Sequence, residues 1–345
     1  MNFTKEMSKI SQQQFSSVYL VLGTEAYLRD QAKASFLKNA LSEDEIDLNF
    51  GSYDMNVTPL AAAIEDAASV PFFGDRRLVY IENPYFLTGE RSKSKLEHDI
   101  EQLTSYLNDP PPYSVLVFFA PYEKLDERKK IVKQLKKVAT IIETGALSEK
   151  DTRHFLRDYI QNEGYEISPE AFELLIQLTD ANLSSAMGEL PKLFLYVADT
   201  KKISKEMVTN LVPKTLEQNI FDLVPAVLNK QVEKALTIYR DLLLQKEEPI
   251  KIHAILSTHF RLMLQVRICI QKGYQQGDIA SMLKIHPYRV KLAMQQVKKF
   301  DMNTLSTAFQ GLVDAEYALK TGQGNREMQF ELFVLKFADQ HAMAN

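Results

Sequence analysis

The sequence predicts an α/β unit built on a parallel sheet, then a small helical unit, then a longer all-helical block. Three observations carry this. Apolar runs of strand type alternate with helix-spaced segments as far as Ala146. From Ser148 onward the strand signal largely disappears. Pro213 then stands as a hinge before the last block. The expected units are 1–146, 147–213 and 214–345.

Val18-Tyr19-Leu20-Val21-Leu22 forms the first strand, and Gly23 ends it. Glu25 to Lys33 continues as a helix, and Leu48 to Tyr53 is a second strand. Thr58-Pro59 opens a helix, with Thr as cap and Pro at the first helical position. Its apolar face is Leu60, Ile64 and Ala67/Ala68, and Pro71 stops it. Leu78 to Ile81 is a third strand. Leu96, Ile100, Leu103 and Leu107 mark a helix, closed by Asp109-Pro110-Pro111-Pro112. Ser114 to Phe119 is apolar on both faces, as a central strand requires. A basic helix from Glu127 to Lys137 leads to a fifth strand, Ala139 to Ile142. The polar stretch 89–95 is expected to be a surface loop.

In the second unit Ser148 starts a helix with Phe155, Leu156, Tyr159 and Ile160 on its buried face, ending at Gly164. Ser168-Pro169 starts the next, and two more cover 183–197 and 204–212. The last block predicts helices over 216–228, 231–246, 249–272, 276–284, 287–299, 303–320 and 325–341.

Composition narrows function. The 345 residues are 45% hydrophobic and 25% charged, ordinary globular values. A net charge of −4 argues against a chain that coats nucleic acid, which needs a Lys/Arg excess. Cys269 is the only cysteine, so an intramolecular disulfide and a zinc–thiolate cluster are excluded, and a reducing cytosol fits. Residues 1–17 lack the apolar core of a signal peptide, and no apolar run reaches the ~18 residues of a membrane span. The six histidines show no metal-binding spacing.

Strand, glycine turn and helix at 18–33 is the setting of a phosphate-binding loop. Such a loop needs a second glycine for the amide cradle, a lysine for the outer phosphates and a Ser or Thr for magnesium. After Gly23 those places hold Leu28, Arg29 and Asp30. Leu28 is bulky where backbone must approach, and Asp30 is anionic where phosphate should lie. No nucleotide or other cofactor is expected. After the third strand Glu82 stands alone as an acid, too little to hold magnesium and activate water.

Two other segments attract attention. Ser69-Val70-Pro71-Phe72-Phe73-Gly74-Asp75-Arg76-Arg77 joins a helix to a strand. Consecutive Phe72 and Phe73 cannot both lie on one regular face. Either they tuck under the sheet edge, or they project as an apolar prong rimmed by Asp75, Arg76 and Arg77. Residues 277–300 resemble a DNA-reading helix-turn-helix, with Ala280, Ile285 and Val290 as packing positions and a basic second helix carrying Arg289, Lys291, Lys298 and Lys299. Any antiparallel helix pair has similar apolar spacing, and bundle packing is the reading it favours.

The whole resembles the delta subunit of the bacterial DNA polymerase III clamp loader. The resemblance rests on VYLVLGTEAYLRDQ, ASVPFFGDRRLVYIEN, SVLVFFAPYEKLDERKK, DANLSSAMGELPKL and TLEQNIFDLVPAVL, in that order. It implies an AAA+-type protein: a RecA-like domain over 1–146, a helical lid over 147–213 and an all-α collar over 214–345. It also implies a clamp-binding element at Val70, Phe72, Phe73 and Arg76, where the family commonly has Leu-Phe. AAA+ ATPases place an arginine near the lid start, where this chain has Ser184 and Ser185. The implied function is binding and opening of the sliding clamp (beta subunit) for loading onto primed DNA, without catalysis of its own. The implied partners are the gamma/tau ATPase subunits and delta-prime, with DNA reached through the assembled complex and no membrane. Two alternatives are an active AAA+ ATPase, which the missing lysine nearly excludes, and a DNA-binding regulator using 277–300.

Overall fold

A computed structural model describes residues 2–72, 74–89 and 96–339. The chain forms two compact units, divided between Leu147 and Ser148.

The first unit contains α1 (Asn2–Ser11), β1 (Val18–Leu22), α2 (Ala26–Ala40), α3 (Glu43–Asn49), β2 (Phe50–Asp54), α4 (Leu60–Ala68) and β3 (Arg77–Glu82). It continues with α5 (Ile100–Asn108), β4 (Ser114–Ala120), α6 (Lys130–Val138) and β5 (Thr140–Glu143). The five strands pair in parallel in the order β2-β3-β4-β1-β5, so β4 is central. Period-two alternation splits each strand between two cores. Val18, Leu20, Val79, Ile81, Leu116 and Phe118 pack with α4, α5 and α6 on one face. Tyr19 turns to the other face and meets Phe36 of α2 edge-on at 4.8 Å. There Tyr80 bridges Phe50 and Phe119, each at 4.9 Å. Helices on both faces are what long parallel crossovers produce.

Several boundaries differ from expectation. Helix α1 was not foreseen, although Phe3 and Ile10 bury one of its faces. Nor was α3, whose Glu45 carboxylate accepts from the Ser42 amide at 2.7 Å and its hydroxyl at 2.8 Å. That is a capping box, and it pushes β2 to start at Phe50 rather than Leu48. Leu96 is not helical: Asp99 caps α5 by accepting from the amides of Glu101 and Gln102. Thr58 does not cap α4. The Leu60 amide donates instead to His98 Nδ1 at 3.1 Å. His98 Nε2 lies 3.1 Å from the Met55 carbonyl, so the neutral tautomer that donates there and accepts from Leu60 fits both partners.

The second unit begins with α7 (Glu149–Asn162), β6 (Glu166–Ile167), α8 (Pro169–Leu178), α9 (Leu183–Tyr196), β7 (Lys202–Ile203) and α10 (Lys205–Leu211). The small β6–β7 pair is parallel and was not expected. Then come α11 (Leu216–Leu228), α12 (Val232–Leu244), α13 (Pro249–Gln271), α14 (Gln276–Leu283), α15 (Pro287–Val297), α16 (Met302–Lys320) and α17 (Met328–Asp339). These seven helices share one core, through residues such as Leu223, Tyr239, Phe260, Leu312 and Phe330. Among the described residues no helix is long and apolar enough to cross a membrane.

The His98 cap has a pH signature. Burial lowers the His98 pKa below its ordinary 6.5, with the Met55 carbonyl opposing. The rings of Tyr85 and Phe86 flank it at 5.2 and 5.1 Å. The unfolded chain therefore binds this proton first as pH falls. The stabilisation is present above 6.5 and is lost as pH drops through the lower folded value. His98→Ala should cost about 1 kcal/mol at neutral pH, as loss of a helix cap does. Denaturant unfolding should show the gap between parent and variant narrowing below pH 6.5. A gap that stays constant into acid would refute the role.

Candidate functional site

In a parallel sheet the ligand crevice lies at the carboxyl ends of strands where connections diverge. Here that place is between β1 and β4. Backbone hydrogen bonds continue past the end of β1 on both of its sides. The Gly23 amide donates to the Ala120 carbonyl at 3.1 Å, and the Glu25 amide to the Thr144 carbonyl at 2.9 Å. The Thr144 amide returns a bond to Leu22 at 2.8 Å. Gly23 has φ +145°, and a Cβ there would stand 2.1 Å from the Thr144 carbonyl carbon. Only glycine fits.

The three residues that stand at the places of a phosphate-binding loop are Leu28, Arg29 and Asp30. Leu28 is 1% exposed and belongs to the core. Arg29 turns back and donates from Nη1 to the Gly23 carbonyl at 2.9 Å. Asp30 is exposed. Glu82 accepts from Lys33 Nζ at 2.7 Å and from the Ser52 hydroxyl at 3.2 Å. No group of His, Cys, Asp and Glu that could hold a metal is found among the described residues.

The connection from α4 to β3 is built differently. Helix α4 ends at Ala68, ahead of Pro71. Ser69 closes it, donating from both amide (3.1 Å) and hydroxyl (2.7 Å) to the Asp66 carbonyl. The Tyr113 hydroxyl donates to the Ala68 carbonyl at 2.9 Å. The Phe72 amide then donates to Oδ1 of Asn49 at 2.8 Å. Asn49 is fully buried at the end of α3. This pins the backbone while the side chains stay outside: Val70 is 72% and Phe72 71% exposed. Gly74 takes φ +72° and lets the chain turn back toward β3. Phe73 lies outside the described residues. Asn49 was not singled out from sequence, because its partner is 23 residues away and its own stretch looks like a strand start.

The two arginines part company. Arg76 lays its guanidinium over the Phe15 ring at 4.7 Å, beside the segment. Arg77 does not belong to a rim. It pairs with Asp66 and donates to the Leu48 carbonyl at 2.7 Å. Asp66 also accepts from the Tyr53 hydroxyl at 2.9 Å.

Residues 277–300 pack into the helical bundle, the reading the sequence favours over a helix-turn-helix. Lys284 adopts a left-handed conformation between α14 and α15, and Val290, Ala293 and Val297 enter the bundle core. Arg289 pairs with Glu217 and Asp180, and Lys291 donates to Glu149 at 2.9 and 3.0 Å. Burial raises the Asp180 pKa, and Arg289 opposes that shift. Arg289 and Lys291 are thus held by carboxylates of α7, α11 and the turn after α8, while Lys298 and Lys299 are exposed. Ser184 and Ser185 sit in the first turn of α9, where Asn182 accepts from the Ser185 amide at 2.8 Å.

Comparison with known proteins shows the family. The family described as "DNA polymerase III, delta subunit" matches residues 19–145, and its C-terminal domain matches 217–337. DNA polymerase III subunit delta of Bacillus subtilis is 43% identical over 319 residues, 92% of each chain. The chain belongs to the DNA polymerase III delta-subunit family. The solved clamp loader delta protein of Bacillus subtilis has a TM-score of 0.73 at 40% identity, covering 98% of this chain and 99% of that one. A probable delta subunit of Aquifex aeolicus is 25% identical over 184 residues, 53% of this chain and 52% of that one. The parallel five-stranded sheet followed by a helical part agrees with the fold expected from sequence, and a DNA-binding regulator is not favoured.

Stability separates the two kinds of residue in the α4–β3 connection. Arg77→Ala strands the largely buried Asp66 carboxylate and should cost about 2 kcal/mol in denaturant unfolding. Phe72→Ala should change stability by no more than about 0.5 kcal/mol. A large loss for Phe72→Ala would mean that its ring is part of the core.

Proposed function

We propose that this chain is the clamp-loader subunit that binds the ring-shaped sliding clamp and opens it for loading onto primed DNA. The observation that carries the proposal is the pinned, outward-facing apolar segment. Exposed apolar side chains on a fixed backbone are costly to leave in water and cheap to order on binding. Val70 and Phe72, with Phe73 next in sequence, would enter an apolar pocket of the clamp. Arg76 would act at the edge, chiefly on association rate and salt dependence.

The chain would perform no catalysis and bind no nucleotide. The missing lysine, the return of Arg29 to the Gly23 carbonyl and the bound-up Glu82 support this. The gamma/tau ATPase subunits would supply the conformational drive, and delta-prime would complete the ring of subunits. DNA would be engaged through the assembled complex in the cytoplasm. Residues 147–213 would serve as lid and 214–345 as the collar that holds the assembly. Exposed Met328, Leu332 and Leu335 lie on one stripe of α17, and Tyr317 on α16 is 64% exposed. Apolar surface of this kind suits contact with neighbouring subunits.

Phe72→Ala/Phe73→Ala should weaken clamp binding by about 3–6 kcal/mol, since burying each ring is worth roughly 1.5–3 kcal/mol. That is on the order of a hundredfold or more in Kd. Surface plasmon resonance against immobilised clamp, with folding checked by thermal melt, measures it. A folded double variant that binds like the parent would remove the assignment.

A further inference from the structure

The segment after α4 is gripped by one short helix. Helix α3 reaches it at three points. Asn49 Oδ1 accepts from the Phe72 amide at 2.8 Å. The Leu48 carbonyl accepts from Arg77 Nη1 at 2.7 Å. Glu45 Oε1 lies against Gly74 and fills the place a Cβ would take there, while its Oε2 closes the α3 capping box. Glu45 and Asn49 stand four residues apart, on one face of the helix. All three points are polar, so they fix backbone without drawing apolar side chains inward. Stability does not require the one at Phe72. That residue is 71% exposed, and water could serve its amide. Holding a wholly buried Asn49 side chain on that amide costs rotamer freedom and desolvation, and the core gains no apolar contact from it.

We infer that Asn49, backed by Glu45, is a positioning residue for clamp binding: it keeps the Phe72 segment in the backbone geometry that a clamp pocket accepts. The inference rests on the proposed clamp contact at Val70 and Phe72. Asn49 is fully buried and acts through the Phe72 backbone, not by touching a partner. An unpinned segment would sample several backbone forms, and only the fraction in the binding geometry could be captured. The association rate falls by that fraction. Once bound, the pocket itself holds the ring, so the dissociation rate stays the same. A contact residue behaves in the opposite way. Truncating Phe72 removes area buried in the complex and speeds dissociation. A residue that merely filled the core would change neither rate per folded molecule.

The test is surface plasmon resonance of the full chain over immobilised sliding clamp, with association and dissociation rates read separately and concentrations corrected for the folded fraction. Asn49→Ala should lower the association rate about five- to tenfold, as loss of one ordering hydrogen bond does, and leave the dissociation rate at the parent value. Asn49→Asp keeps an acceptor at that place and should recover most of the association rate. Glu45→Ala, outside the buried core, should lower association in the same direction. Glu45→Gln, which still closes a capping box, should not. Per-residue hydrogen exchange should show the Phe72 amide protected in the parent and unprotected in Asn49→Ala, with the amides of β4 unchanged. An unchanged association rate in folded Asn49→Ala, or a Phe72 amide that exchanges freely in the parent, overturns the inference and leaves the clamp contact standing. So does a faster dissociation rate, which would make Asn49 part of the contact itself. If Asn49→Ala does not fold, Glu45→Ala decides: a lowered association rate supports the inference and an unchanged one overturns it. A parent chain that never binds the clamp overturns the proposed function and this inference together.

Discussion

Gly23 lies against the Thr144 carbonyl, closer than any residue with a Cβ could come. The rest of the first unit is arranged around that contact. It joins the end of β1 to the chain leaving β5, while the Gly23 amide reaches the last residue of β4. Three strand ends are thereby tied at the point where an α/β sheet ordinarily receives a ligand. The Gly23 and Glu25 amides already have carbonyl partners. Arg29, at the place of a phosphate-binding lysine, returns to the Gly23 carbonyl. In the proposed reading, the layout of a nucleotide-binding domain serves here as a scaffold.

A scaffold of this kind can hold a binding segment in position. The Phe72 amide is fixed by Asn49, and Arg77, five residues on, is fixed by Asp66 and the Leu48 carbonyl. Both anchors sit at or next to secondary-structure ends, so the segment between them has little freedom to collapse onto the sheet. The apolar side chains of Val70 and Phe72 remain in solvent at a cost of a few kcal/mol, which a partner pocket would recover.

What was legible in sequence follows from the range of each interaction. Strands β1, β3 and β4 are continuous apolar runs because both their faces are buried, and that pattern is local. The seven helices of the last block were legible from helical spacing and glycine or proline stops. Helix α3 carried a readable Ser42-to-Glu45 capping box that was passed over. The cap of α4 was not readable, since His98 lies 38 residues beyond Leu60. The same holds for Asn49 and for Arg77, whose neighbours in sequence suggested an exposed rim. In α15 the basic pattern was visible, but its acidic partners Glu149, Asp180 and Glu217 come from distant parts of the chain.

The most direct test is to titrate the sliding clamp with the full chain in nucleotide-free buffer, and again with Mg-ATP, by isothermal calorimetry. The absence of a phosphate-binding lysine and an apolar segment already exposed in the chain alone predict saturable binding without nucleotide and the same affinity when Mg-ATP is added. Binding that appears only with Mg-ATP, or an affinity that changes with it, would show that the crevice is open and that the segment is under nucleotide control.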